Sequence, residues 1–196
     1  MSDPVLHVIA GPNGAGKTTF FRYILEPATK LEFVNADAIA EDRWPDDAEA
    51  HASEAGAIAA AEWTRRLQAR TSFVAETVFS HESKVELVED ARSHGYLVTL
   101  HIIMIPEDLA VARVASVVED GGHGVAERKG RDRHQRPWAH LRRAIDKAHE
   151  VHIYDNSKAA TPFTLVATYR DGALTATTAS WPEWTPPELR EPPAEA

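Results

Sequence analysis

Residues 5–25 read VLHVIAGPNGAGKTTFFRYIL, and this stretch decides the fold. VLHVIA is an apolar run of strand length, GPNGAGKT follows at 11–18, and the amphipathic TTFFRYIL at 18–25 predicts a helix. A strand, a glycine-rich turn ending in Lys-Thr and a helix are the context that gives G-x-x-x-x-G-K-S/T its meaning. Such a loop lets main-chain amides approach an anion, and the helix N-terminus adds partial positive charge. The candidate nucleotide-binding residues are Gly11, Pro12, Asn13, Gly14, Ala15, Gly16, Lys17, Thr18 and Thr19. Lys17 suits the β and γ oxygens of a nucleoside triphosphate, and the Thr18 hydroxyl suits Mg²⁺. ATP and Mg²⁺ are the expected ligands.

Working outward, LEFVN (31–35), FVA (73–75), LVTLHIIMI (97–105) and VHIY (151–154) are further candidate buried strands. Helical spacing covers 47–68 and 81–95, a segment opened by Pro106, and WAHLRRAIDKAHE. FTLVATY at 163–169, the Asp171-Gly172 turn and ALTAT predict a terminal hairpin. Strands alternating with helices imply an α/β fold. The expectation is a P-loop NTPase three-layer sandwich with a mainly parallel five- to six-stranded sheet and a C-terminal hairpin. A single domain is expected over 1–180. The tail 181–196 carries five of the twelve prolines and is expected to be a poorly packed extension.

The chain has 196 residues, no cysteine and a net charge of −9. Disulfides and thiolate zinc sites are thereby excluded. The acidic balance disfavours nucleic-acid and anionic-membrane partners. The longest apolar runs fall far short of the ~20 residues a membrane span needs. No basic region precedes the first apolar run, so a cytoplasmic location is expected. The charge is not uniform. Between Arg113 and Lys147 lie nine of the 21 basic residues against five acids, a local balance of +4 that leaves −13 elsewhere. Arg128, Lys129, Arg131, Arg133 and Arg136 stand close to Gly121, Gly122, Gly124 and Gly130, which reads as a lid over about 121–136. His123 lies among those glycines, whereas Arg142, Arg143 and Lys147 read as a solvated helix face. The ten histidines form no HExxH-like ligand pattern and read as surface or partly buried residues.

A GTPase would need Asn-Lys-x-Asp, and Asp155-Asn156-Ser157-Lys158 has the wrong order. A motor ATPase of the AAA type would need consecutive acids after a strand, to which Glu76 alone is a poor fit. A small-molecule kinase fits better. Such an enzyme needs a base for the acceptor hydroxyl and acids that orient Mg²⁺ or substrate. Asp37 follows the second strand, where it is either that base or a helix cap. Glu76, with Thr77 beside it, ends the third strand and is the candidate acid on the substrate side. Asp37 or Glu76 would join Thr18 at Mg²⁺, directly or through water.

Taken together, GPNGAGKTT, FVNADAIA, FVAET followed by SHES, AVARVASVVEDGGHGV, and RKGRDRHQRPWAHL leading into YDNS resemble the zeta-toxin family of P-loop kinases over about residues 5–157. Zeta toxins phosphorylate the 3′-hydroxyl of UDP-N-acetylglucosamine and are held in check by an antitoxin. The resemblance implies an ATP-dependent kinase of a nucleotide sugar, with an antitoxin protein as partner. It implies Asp37 as catalytic base and Lys17 on the phosphates. Glu76, Thr77 and His123 fall on the substrate side, and Arg113 with Arg131 or Arg133 contacts phosphate. Val117 stands where the family carries a further arginine, and the chain lacks the larger C-terminal region of the best-known toxins. The same machinery would also serve another acceptor (an antibiotic, a nucleoside or a polynucleotide 5′-hydroxyl), or a nucleotide-binding partner protein without activity.

Overall fold

The structure is a computed structural model and describes residues 3–115, 135, 137–177 and 180–190. Seven strands form one sheet in the order β2-β3-β1-β4-β5-β6-β7. The strands are β1 (Val5–Ala10), β2 (Phe33–Val34), β3 (Phe73–Thr77), β4 (Leu97–Met104), β5 (Glu150–Asp155), β6 (Thr164–Arg170) and β7 (Ala173–Thr177). The first five are parallel, and β6 and β7 add the antiparallel hairpin. The expected α/β sandwich with a C-terminal hairpin is the fold observed.

Strand sequence dictates the two cores. Leu6, Val8 and Ala10 of β1 point to one face, with Val98, Leu100, Ile102 and Met104 of β4. They pack under α4 (Ala52–Ala69), α5 (Ser83–Ser93) and α7 (Pro137–Ile145). Ile9 and Ile103 point the other way, against Phe20, Phe21 and Leu25 of the helix that follows the P-loop and against Ala110 of α6 (Glu107–Ala115). Both faces are covered, so the central strands read as continuous apolar runs.

The post-loop helix is longer than TTFFRYIL. It begins as α1 (Lys17–Phe20), passes through a π-helical turn (Phe21–Leu25) and ends as α2 (Glu26–Thr29). Pro27 offers no N–H to the Tyr23 carbonyl, and the widened turn accommodates that missing bond. The segment expected as helix from Asp47 begins later, at Ala52, and a separate α3 (Ala36–Arg43) precedes it. Pro45 separates the two, because a residue before proline is disfavoured in the α region, and Trp44 sits at φ −135°.

The histidines are less scattered than expected. His7, His101 and His152 adjoin on β1, β4 and β5, with His7 Nδ1 3.0 Å from His101 Nε2. Burial holds the His101 imidazole well below its ordinary range, and its two histidine neighbours push the same way.

Proline content misled the reading of the tail over its described part. Leu189, in α8 (Pro187–Arg190), is fully buried, and Trp181 and Trp184 pack on the same core. The Tyr169 hydroxyl donates to the Leu189 carbonyl at 3.3 Å. Prolines here turn the chain back onto α7 and pre-set the first turn of α8. Among the described residues, no helix is long and apolar enough to cross a membrane.

Leu189→Ala is expected to cost about 2–5 kcal/mol, the usual range for a buried leucine truncation. Urea unfolding measures it, and a loss under about 0.5 kcal/mol would return this segment to the status of a loose extension.

Candidate active site

The strand order reverses at β1, whose neighbours are β3 and β4, and ligands gather outside the carboxyl ends of strands at such a point. The P-loop occupies that position. Gly14 (φ 79°) faces α6, and a Cβ there would lie 3.0 Å from the Ala110 carbonyl oxygen. Gly16 (φ 90°) faces Asn156, whose Nδ2 would be 2.7 Å from a Cβ. Both positions therefore require glycine for backbone conformation and for space.

Lys17 opens α1 and is 7% exposed. Its Nζ donates to the Pro12 carbonyl at 3.1 Å and lies 3.9 Å from Glu76 Oε1. Thr18 Oγ1 donates to Glu76 Oε2 at 3.0 Å. Burial lowers the Lys17 ammonium from its ordinary value, while the charges of Glu76 and Asp37 pull it back up. Burial likewise raises the Glu76 carboxyl, opposed by Lys17 and by hydrogen bonds from Thr18 and Asn35. The charge of Asp37 acts on both groups. The ends of β1, β2 and β3 thus bring Lys17, Thr18, Asp37 and Glu76 into one electrostatic unit.

Asp37 is not the cap of α3. Asn35 is, its Oδ1 accepting from the amides of Asp37 at 2.5 Å and Ala38 at 3.0 Å. This leaves the Asp37 carboxylate exposed in the first helical turn, where the helix dipole favours an anion. Thr77 is partly exposed at the end of β3, and its Oγ1 accepts from the amide of Phe79, a buried residue with φ 65°. Asn13 and Thr19 are exposed, and the other P-loop residues are buried or half-buried.

Arg113 reaches the loop from α6. Its guanidinium donates to the Gly14 carbonyl and to the Asn156 carbonyl, each at 3.1 Å. Asn156 Nδ2 in turn donates to the Ala15 carbonyl at 2.8 Å. The expected lid residues His123, Arg131 and Arg133, and Val117, lie outside the described residues.

Sequence reading passed over Asn35 and Asn156. Asn35 carried a usable signal, an N-cap residue placed between an apolar run and a helix-forming stretch. Asn156 falls in the YDNS segment of the resemblance, but its role left no mark there, because its partner lies 141 residues away in sequence.

A profile of the AAA domain family matches residues 6–151. The chain belongs to this AAA domain family. Solved structures with the same fold include three of direct interest. The PezAT chromosomal toxin-antitoxin system of Streptococcus pneumoniae is 15% identical, with 97% of this chain and 84% of that chain covered and a TM-score of 0.61. The complex of AvrRxo1-ORF1 with AvrRxo1-ORF2, carrying sulphate ions, is 16% identical with a TM-score of 0.64, and the match spans 88% of this chain but 60% of that one. Shikimate kinase from Acinetobacter baumannii, in complex with shikimate, is 18% identical over 80% of this chain and 86% of that chain, with a TM-score of 0.54. No curated protein sequence matches the chain. These likenesses show that the chain shares the fold of the three structures.

The raised Glu76 carboxyl fixes the sign of a pH effect. Folded protein holds that proton to a higher pH than the unfolded chain, whose glutamates titrate near about 4.3. Stability contributed by Glu76 therefore falls as pH rises from that value through the raised folded one. Glu76→Gln removes the effect, so its stability relative to wild type is expected to improve as pH rises above about 4.3 in nucleotide-free urea titrations. An opposite slope would show that Lys17 dominates the carboxyl.

Proposed function

We propose that this AAA domain is an ATP-dependent kinase that transfers the γ-phosphoryl group to a hydroxyl of a small molecule, with a nucleotide sugar such as UDP-N-acetylglucosamine as acceptor. One observation carries the reading. An exposed carboxylate, Asp37, stands within electrostatic reach of a buried P-loop lysine and its glutamate partner. Transfer to an alcohol needs a base that the acceptor hydroxyl can reach, and a solvent-facing carboxylate beside that pair can supply it.

The chain's own groups divide the work. P-loop amides and the N-terminus of α1 receive the polyphosphate, and Lys17 sets its positive charge against the β and γ oxygens. Asp37 accepts the proton of the acceptor hydroxyl as the new O–P bond forms and the bond to the ADP oxygen breaks. Glu76 and Thr77, at the end of β3, orient the acceptor, and His123 is assigned to the same side. Arg113, Arg131 and Arg133 supply the cationic surroundings of the transferring group. The Thr18 hydroxyl and the Glu76 carboxylate are hard oxygen donors 3.0 Å apart, with Asp37 nearby, a donor set that suits Mg²⁺. When bound, Mg²⁺ neutralises polyphosphate charge.

The acceptor assignment draws on the zeta-toxin resemblance and on likeness to a toxin-antitoxin structure. The same likeness supports an antitoxin as protein partner. The domain is read as one unit that takes in the packed tail to Arg190.

The decisive experiment is a γ-phosphate transfer screen over UDP-sugars and other hydroxyl metabolites with mass detection. Asp37→Asn is expected to leave ATP affinity unchanged and to lower turnover by about 100-fold or more. Turnover within about tenfold of wild type would remove Asp37 as the base. Lys17→Ala is expected to weaken ATP binding and turnover together, read by calorimetry and by the same assay. ATP binding without transfer to any acceptor, together with a stable co-purifying protein, would make the chain a binding partner and not a kinase.

A further inference from the structure

We infer that Asn156, interlocked with Arg113, is a positioning residue that keeps P-loop carbonyls turned away from the anion the loop binds. The inference rests on the nucleotide-site reading above and deepens it. An anion cradle works because amide N–H groups converge on the ligand, and each peptide unit that contributes an N–H also carries a carbonyl of opposite polarity. A loop with glycine at positions 11, 14 and 16 can rotate its peptide units easily, so the amides converge only while something holds the carbonyls.

The structure shows what holds them. The Pro12 carbonyl accepts from the Ala15 amide at 3.2 Å and from Lys17 Nζ at 3.1 Å, and the Gly16 carbonyl accepts from the Phe20 amide at 2.9 Å. Those partners are internal to the loop and its helix. The Gly14 and Ala15 carbonyls are held from outside, by Arg113 at 3.1 Å and by Asn156 Nδ2 at 2.8 Å. The two holders are joined, because the second guanidinium nitrogen of Arg113 donates to the Asn156 carbonyl at 3.1 Å. Asn156 is itself fixed. Its amide donates to the Met104 carbonyl at 3.0 Å, its Oδ1 accepts from the Phe163 amide at 3.4 Å, and the residue is buried. A donor anchored to the end of β4 thus sets the orientation of a peptide unit in the loop after β1. Gly16 has no side chain where Asn156 Nδ2 must pass, so that glycine serves the brace as well as the phosphate.

Asn156→Ala and Asn156→Asp both remove the donor to Ala15. Only Ala removes the acceptor for Phe163, and only Asp adds a negative charge, so a loss common to both reports the donor. Both variants are expected to bind ATP at least tenfold more weakly by calorimetry, equal to about 1.4 kcal/mol. Where transfer is measurable, KM for ATP is expected to rise while KM for the acceptor stays unchanged. In nucleotide-free protein, hydrogen exchange at the amides of Ala15, Gly16 and Lys17 is expected to quicken at least tenfold, while exchange at Leu100 and Ile102 in β4 stays at the wild-type rate. Arg113→Lys keeps the charge but replaces the two-pronged guanidinium, and is expected to quicken the same loop amides. Affinity changes below tenfold in both Asn156 variants, or unchanged loop exchange, would overturn the inference. A wild-type protein that binds ATP but phosphorylates nothing would sink the kinase reading and leave the brace standing on affinity and exchange.

Discussion

A primary ammonium buried at the end of the central strand is the constraint around which the site is arranged. An ion taken out of water costs several kcal/mol unless charge and hydrogen bonds compensate it, and Lys17 is 7% exposed. Compensation comes from three directions: the Pro12 carbonyl, the Glu76 carboxylate and the charge of Asp37. Strand order makes this possible. Parallel pairing of β1 with β3 sets Ile9 opposite Glu76, so the carboxylate arrives at the level where the loop begins. β2 lies beyond β3 and delivers Asn35 and Asp37 to the same end of the sheet. A different order would take both carboxylates away and leave the ammonium with the Pro12 carbonyl.

The separation of Lys17 Nζ from Glu76, 3.9 Å, is a Coulombic contact without a hydrogen bond. Lys17 has three donors and commits one to Pro12, so it retains capacity for an incoming oxygen. A polyphosphate arriving alone would set further negative charge against Glu76, already disfavoured as an anion by burial, and against Asp37. Arriving with a divalent cation it would not. Under the proposed function, the acids around Lys17 would favour nucleotide that arrives with its divalent cation.

The fold was largely legible because the decisive signals were local. VLHVIA, GPNGAGKT and the apolar runs after them specify strands and a phosphate loop within short windows, and the hairpin followed from Asp171-Gly172. Distant pairings left no such mark. The brace on Ala15 comes from Asn156, and nothing in DNSK distinguishes a residue that spans the sheet from an ordinary turn asparagine. Asp37 was legible as a functional candidate but not separable from a cap until Asn35 was seen to hold the helix start. The tail shows the opposite failure. Proline-rich composition suggested loose chain, yet two tryptophans and Leu189 outweigh it once the turns return them to the core.

The two halves of the site are built with different rigidity, and this bears on what each can select. On the nucleotide side, loop carbonyls are tied to α6 and to the end of β5, and Lys17 is enclosed. On the acceptor side, Ala40 is the one buried residue of α3, the helix that carries Asp37. That helix is held mainly by its Asn35 cap and by contact with α4, whose Trp63 indole donates to the Val34 carbonyl at 3.4 Å. Ala36 and Ile39 add partly buried contacts with the main core, while the Asp37 side of α3 and most of the turn after it are exposed. Trp44 stacks on His51 across that turn, with ring centroids 4.4 Å apart, and limits how far it can open. Under the proposed function, a tightly tied nucleotide side beside an exposed Asp37 face would place acceptor choice in residues 36–51 more than in the phosphate loop.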